Sequence, residues 1–215
     1  MELLEFINLK NLDLIAKGGP VMIILLGFSV FAFAIIFAKL IQFLSSALSS
    51  TNKIEKILSK LSSTNPKKLL IEIQKIKHPM ARIIEVVIVT KKDRRFDKES
   101  REAEISRIIS IEIRNLENYL GGLEVVASIS PLLGLFGTVL GMIKAFLNLE
   151  KAGSQIDPAL LAGGIWEALL TTAFGLAIAI PALTAYHLFE NKISNTRDKI
   201  NDTVVRTNTL LSFKK

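Results

Sequence analysis

SPLLGLFGTVLGMIKAF occupies residues 130–146, and the part from 130 to 143 carries no charge. Three glycines (Gly134, Gly137, Gly141), a proline (Pro131) and a threonine (Thr138) nevertheless interrupt it. In water such residues weaken a helix. In hydrocarbon the balance differs, because the chain must satisfy its own backbone groups and helices associate through the close contact that small residues permit. The stretch therefore reads as a transmembrane helix built to pack tightly against another.

Two more runs have the same character. Residues 21–38, 125–143 and 168–189 are uncharged over 18, 19 and 22 residues, and a hydrocarbon core about 30 Å thick needs roughly 20 helical residues. Hydrophobic residues make up 50% of the 215, and the charged ones fall in separate blocks. That clustering points to an all-α integral membrane protein with three transmembrane helices. Of the 27 Lys and Arg, 17 lie between residues 39 and 120 and 6 after residue 186, against 2 in the leader and 2 between 144 and 166. Such an excess marks the cytoplasmic side, which puts the leader and the 150–160 hairpin outside and the central block and tail inside. The leader MELLEFINLKNLDLIAKGG is acidic as well as basic and no small-residue cleavage site follows, so the first span reads as a retained anchor rather than a signal peptide.

Several function classes are disfavoured. The net charge of +7 has a ready explanation in the cytoplasmic flank, which has few aromatics and no nucleic-acid motif, so no nucleic-acid partner is expected. Cysteine is absent, which removes disulfides and thiol chemistry. His78 and His187 lack neighbours at metal-ligand spacing, and no phosphate-loop, zinc-protease or nucleophile-elbow motif occurs. The expectation is a protein that is no enzyme and has no metal site or cofactor.

Along the chain, Leu3, Leu4, Ile7, Asn11 and Leu14 fall near a helical repeat, which predicts an amphipathic leader helix on the outer membrane surface. Gly18, Gly19 and Pro20 break it, with Pro20 suited to a first helical turn. Pro66 and Pro79 divide the Ser- and Lys-rich block into short amphipathic helices. Residues 99–123 contain no proline, and Ile105, Ile108, Ile109, Leu116, Tyr119, Leu120 and Leu123 recur every three or four residues, predicting one helix that continues into the second span and bends at Gly121–Gly122. Asp157–Pro158 is a helix start. From it a helix is expected to run through the third span to about Ser212, with Pro181 kinking it and Ile193, Ile200, Val204 and Leu211 set against a partner.

Small residues form two stripes: Gly134, Gly137/Thr138, Gly141 and Ala145 on the second span, and Gly164, Ala168, Thr171/Thr172, Gly175, Ala179 and Ala182 on the third. Packing accounts for the glycines. Glu167 is different, since a carboxylate inside a span needs a partner or an aqueous cavity and is a functional candidate by default. With a rise of about 1.5 Å per residue, Thr138 and Thr172 lie roughly 16 and 18 Å deep and Glu167 roughly 10 Å deep, on the outer side of both. A carboxylate above two hydroxyls suits the lining of an ion path. Helical spacing places Thr171, rather than Thr172, on the face of Glu167. Lys144 lies at a similar depth to Glu167; the first expectation is that it snorkels to the outer headgroups, and ion pairing with Glu167 is the second.

SISPLLGLFGTVLGMIKAF (128–146) and GGIWEALLTTAFGLAIAIPAL (163–183) resemble the second- and third-span signatures of the TolQ/ExbB/MotA ion-channel family. In MIILLGFSVFAFAIIFAK, SISP and Ala185–Tyr186 the chain is most similar to the TolQ branch, with ExbB close behind. The resemblance implies a homopentamer in the bacterial inner membrane around a central pore, with the N-terminus periplasmic and the C-terminus cytoplasmic. Inside the pore it implies two transmembrane helices of a TolR- or ExbD-like partner, whose aspartate carries the proton. Thr138, Glu167 and Thr172 then correspond to pore-lining positions, and Pro131, Gly134, Gly137, Gly141, Gly175 and Pro181 to helix packing. The resemblance implies H+ as the translocated ion, while the adjacent threonines resemble those of sodium-driven stators and keep Na+ open. Work would pass to a TolA-like transducer for outer-membrane integrity and cell division, or to a TonB-like one for nutrient uptake; a non-conducting scaffold is the remaining alternative. The implied layout is a periplasmic amphipathic helix (1–19), transmembrane helix 1 (20–42), a cytoplasmic helical domain (43–122), transmembrane helix 2 (123–149), a periplasmic hairpin (150–159), transmembrane helix 3 (160–189) and a cytoplasmic C-terminal helix (190–215).

Overall fold

The computed structural model describes residues 19–45, 51–60, 66–76, 78–93, 95–152 and 158–212. The expected leader helix, the cap at Asp157 and the turn of the 150–160 hairpin lie outside these residues. Seven helices are described: α1 Gly19–Ser45, α2 Thr51–Lys60, α3 Pro66–Gln74, α4 Pro79–Lys92, α5 Lys98–Glu117, α6 Leu120–Ala152 and α7 Pro158–Ser212. Three are long and apolar enough to cross a membrane, over Gly19–Leu44, Leu120–Lys151 and Leu161–Ser212. Only 28%, 33% and 28% of their most apolar windows are buried within the chain. The rest, including Phe33, Leu132, Trp166 and Ile180, must be covered by lipid or by other chains.

The chain divides into two compact units, one of residues 1–37 and 119–187, the other of 38–118 and 188–215. In the second unit, α4 packs against α3 and α5, and Ile83, Ile84, Val87, Ile105 and Ile108 are buried. Ile193 and Ile200 are buried there too, on a seam of α7 shared with Thr196, Thr203 and Thr207, whereas Val204 and Leu211 are half-buried. Thr196 and Thr207 each return their hydroxyl to the carbonyl four residues earlier, at 2.8 and 2.7 Å. The seam thus finds its cover within this chain, where the pattern alone suggested a partner.

Local signals explain several helix ends. Gly19 has φ +65 and Pro20 follows in the first turn of α1, as a sharp start requires. Asp97 caps α5 by accepting the Ser100 N–H at 2.7 Å, which holds its carboxyl below the usual range. Just before it, Arg95 pairs with Asp93 at 2.7 Å and lowers that carboxyl to about 2. The continuous helix expected over 99–123 is interrupted. It stops at Glu117, Tyr119 takes φ 69, and α6 starts at Leu120. Gly121 and Gly122 are helical, and a Cβ on Gly122 would lie 3.3 Å from Phe31 and Ile35. Gly122 therefore serves contact with α1 instead of bending the chain.

His78 caps α4, its Nδ1 accepting the Met80 N–H at 3.1 Å. That bond assigns the ring proton to Nε2. The ring is buried, and burial lowers its pKa below the ordinary 6.5. A histidine held neutral by the fold leaves the unfolded chain binding more protons as pH falls below 6.5, so its stabilising effect is present above that value and declines beneath it. Protection against amide exchange in α4, corrected for the intrinsic pH dependence of exchange, should fall on mild acidification. His78→Asn keeps a capping acceptor and should flatten this dependence; an unchanged pH profile would remove His78 as its cause.

Candidate functional site: the glycine-packed pair of membrane helices

The site lies in the first unit, where α6 and α7 meet. A Cβ built on Gly134 would fall 2.9 Å from the Thr171 carbonyl, on Gly137 2.5 Å from Thr171 Oγ1, on Gly141 2.9 Å from Ala168 Cβ, and on Gly175 2.5 Å from the Ser130 carbonyl. Gly164 meets Ala145 just as closely. Backbones this near gain dispersion contacts along their whole length, the main cohesive term between helices in lipid. Pro131 and Pro181 lie inside α6 and α7, half-buried and exposed respectively.

This contact separates the residues of both ambiguous pairs. Gly137 is buried and Thr138 half-exposed; Thr171 is buried and Thr172 half-exposed. Thr171 Oγ1 donates toward the Ala168 carbonyl at 2.7 Å and the Gly134 carbonyl at 3.2 Å, which makes it part of the helix joint. Thr172 Oγ1 is shut off from solvent and has no hydrogen-bond partner among the described residues. Such a hydroxyl costs about 1–3 kcal/mol unless something satisfies it. Thr138 donates to the Leu135 carbonyl at 2.6 Å and lines an open groove of about 490 Å³ with Val139, Met142, Ile143, Phe146, Leu147 and Glu150.

Glu167 and Lys144 lie side by side: the ammonium is 3.2 Å from each carboxylate oxygen. The start of α1 closes in from another side, a Cβ on Gly19 falling 3.8 Å from Glu167 Oε1. A cavity of about 110 Å³ joins these groups to Pro20, Val21, Gly137, Leu140, Gly141 and Thr171. Thr138 lies on the other groove. The contribution of Gly19 was not apparent from its sequence neighbourhood, where Gly-Gly-Pro signals only a break.

Lys39 was also missed. It is 1% exposed, and its Nζ donates to the Leu116 carbonyl at 2.7 Å and to Gln42 Oε1 at 2.9 Å. The available signal was a lone lysine at the end of an apolar run, which reads equally well as a lysine snorkelling to headgroups.

Residues 75–202 match the model of the MotA/TolQ/ExbB proton channel family. The chain belongs to that family. The match takes in more than half of the chain and contains all of α6 and α7 as far as residue 202. Among relatives, the chain is 35% identical over 115 residues (54% of its length) to the biopolymer transport protein ExbB of Pseudomonas putida. It is 47% identical over 83 residues (39%) to the Tol-Pal system protein TolQ of Haemophilus influenzae. With the biopolymer transport protein exbB1 of Vibrio cholerae it shares 37% over 109 residues (51%). These matches span 35%, 36% and 48% of the relatives' own lengths. A MotA/TolQ/ExbB family chain with three apolar helices is a membrane protein, and Glu167, Thr138 and Thr172 all fall in its matched interval.

Proposed function

We propose that this chain is the wall subunit of an ion-driven motor of the TolQ–TolR or ExbB–ExbD type in the bacterial inner membrane. Five copies enclose a pore that holds the transmembrane helices of two copies of a single-span partner. The observation that carries the reading is an ionisable side chain, Glu167, and a hydroxyl, Thr172, with no partner among the described residues, both on an apolar helix that is locked to α6 by glycines. Polar groups so placed in hydrocarbon serve a partner or a pathway. The ion reaches the partner's aspartate past Glu167, Thr138 and Thr172, and protonation of that aspartate changes which wall subunit it favours. Force leaves through the partner to a TolA-like transducer. Relatives named ExbB support a TonB-like transducer as the second form. Loss of outer-membrane barrier function against loss of transducer-dependent nutrient uptake, in a deletion strain complemented with this chain, separates the two.

The two threonines test the reading at residue level. Reconstituted with its partner in liposomes, Thr172→Val should lose ion flux with thermal stability unchanged or raised by up to about 1 kcal/mol, because it removes only an unsatisfied hydroxyl. Thr171→Val should lower stability by about 1 kcal/mol through loss of its bonds to Ala168 and Gly134. Native flux from Thr172→Val, in an intact oligomer, would take Thr172 out of the path.

A further inference from the structure

Glu167 is the more enclosed member of its ion pair and Lys144 the more exposed one: the side chains are 22% and 65% exposed. The ammonium sits 3.2 Å from both carboxylate oxygens. That is the place a monovalent cation would take if it were held by the two oxygens together. Gly19 lies against Oε1, and a cavity of about 110 Å³ opens beside the carboxylate. At about 30 Å³ per water this holds roughly three or four waters. A sodium ion needs room against the carboxylate oxygens, and the ammonium already fills the position between them and repels a like charge on arrival. A proton needs no such space. It passes along hydrogen-bonded water and binds one oxygen lone pair, of which the ammonium leaves at least one free on each oxygen. Lysine's flexible stem and exposed head allow the ammonium to swing outward as the carboxylate takes up the proton.

We infer that Lys144 is a tethered cation that excludes sodium from Glu167 and thereby makes the ion path proton-selective. The inference rests on the reading that Glu167 borders the path. It answers a question left open by the adjacent threonines Thr171 and Thr172: Thr171 is engaged in the helix joint, and the carboxylate's cation position is filled by the chain itself.

The test is proton and sodium flux, measured separately in liposomes that hold the full-length chain with its single-span partner. The native complex should conduct protons at a rate indifferent to added sodium chloride over choline chloride. Lys144→Met should let sodium through and make proton flux fall several-fold in sodium. Lys144→Arg, which keeps a tethered cation, should restore the native ratio. A merely structural lysine would change total flux but not the ratio. If Lys144→Met does not assemble, Lys144→Gln, with similar reach and no charge, is measured for the same ratio. A native proton-to-sodium ratio in the uncharged variant, or sodium flux through the native complex, overturns the inference while leaving the motor reading intact. An intact native complex that conducts neither ion overturns both.

Discussion

Glu167→Gln should reduce ion flux through the assembled complex to the level of protein-free liposomes. The amide keeps the size and shape of the carboxylate but can neither take up a proton nor hold a full negative charge at the mouth of the path. Its amide oxygen still accepts a hydrogen bond from Lys144, so local packing should survive. The glycine contacts that join α6 to α7 do not depend on the charge of residue 167. Oligomer mass and melting temperature should therefore stay close to native while flux is lost. Loss of the oligomer together with flux would make Glu167 an assembly residue and favour the scaffold alternative. Native flux in the variant would take the carboxylate out of the path.

Gly175→Leu should disrupt the pairing of α6 with α7. A single Cβ at this position would lie 2.5 Å from the Ser130 carbonyl oxygen and 3.1 Å from Gly134 Cα. Both obstacles are backbone, so no side-chain rotation relieves them. Overpacking costs about 1–3 kcal/mol where a core can adjust, and a leucine between two backbones should exceed the top of that range. The expected outcome in detergent is a lower melting temperature and loss of the oligomer. Gly163 is the matched control, because nothing lies within 4 Å of a Cβ built there. Gly163→Ala should be neutral or stabilising by up to about 1 kcal/mol, as for an unobstructed glycine in a helix. Equal effects of the two variants would show that the glycines are not chosen for close approach.

The ease with which each feature could be read follows from the range of the interaction behind it. Glycine and alanine at three- and four-residue intervals are a local pattern, and the small stripes of residues 134–145 and 164–182 were legible from it. The choices between Gly137 and Thr138 and between Thr171 and Thr172 were not, because neighbours on a helix point about 100° apart and only the position of the second helix decides which is enclosed. Lys144 was ambiguous for another reason: its long stem can reach the headgroups or a carboxylate on another helix. The interruption at Tyr119 had no local signal, since a left-handed tyrosine is uncommon and glycines two residues later offered a more conventional bend.

By itself, the sequence determined that this chain is helical, that three of its segments suit a bilayer, and which faces of the second and third carry small residues. Those properties follow from hydropathy, proline and glycine chemistry and helical periodicity, which act within a few turns. Tertiary structure alone decided that Thr171 closes the helix joint while the Thr172 hydroxyl finds no partner among the described residues, that Gly19 and Lys144 meet at Glu167, and that Lys39 finds its acceptors at Leu116 and Gln42. Each of these depends on which residues of separate segments are brought within hydrogen-bonding distance. The cost of leaving polar groups unmatched in an apolar setting selects such partners, and local spacing carries no record of the choice.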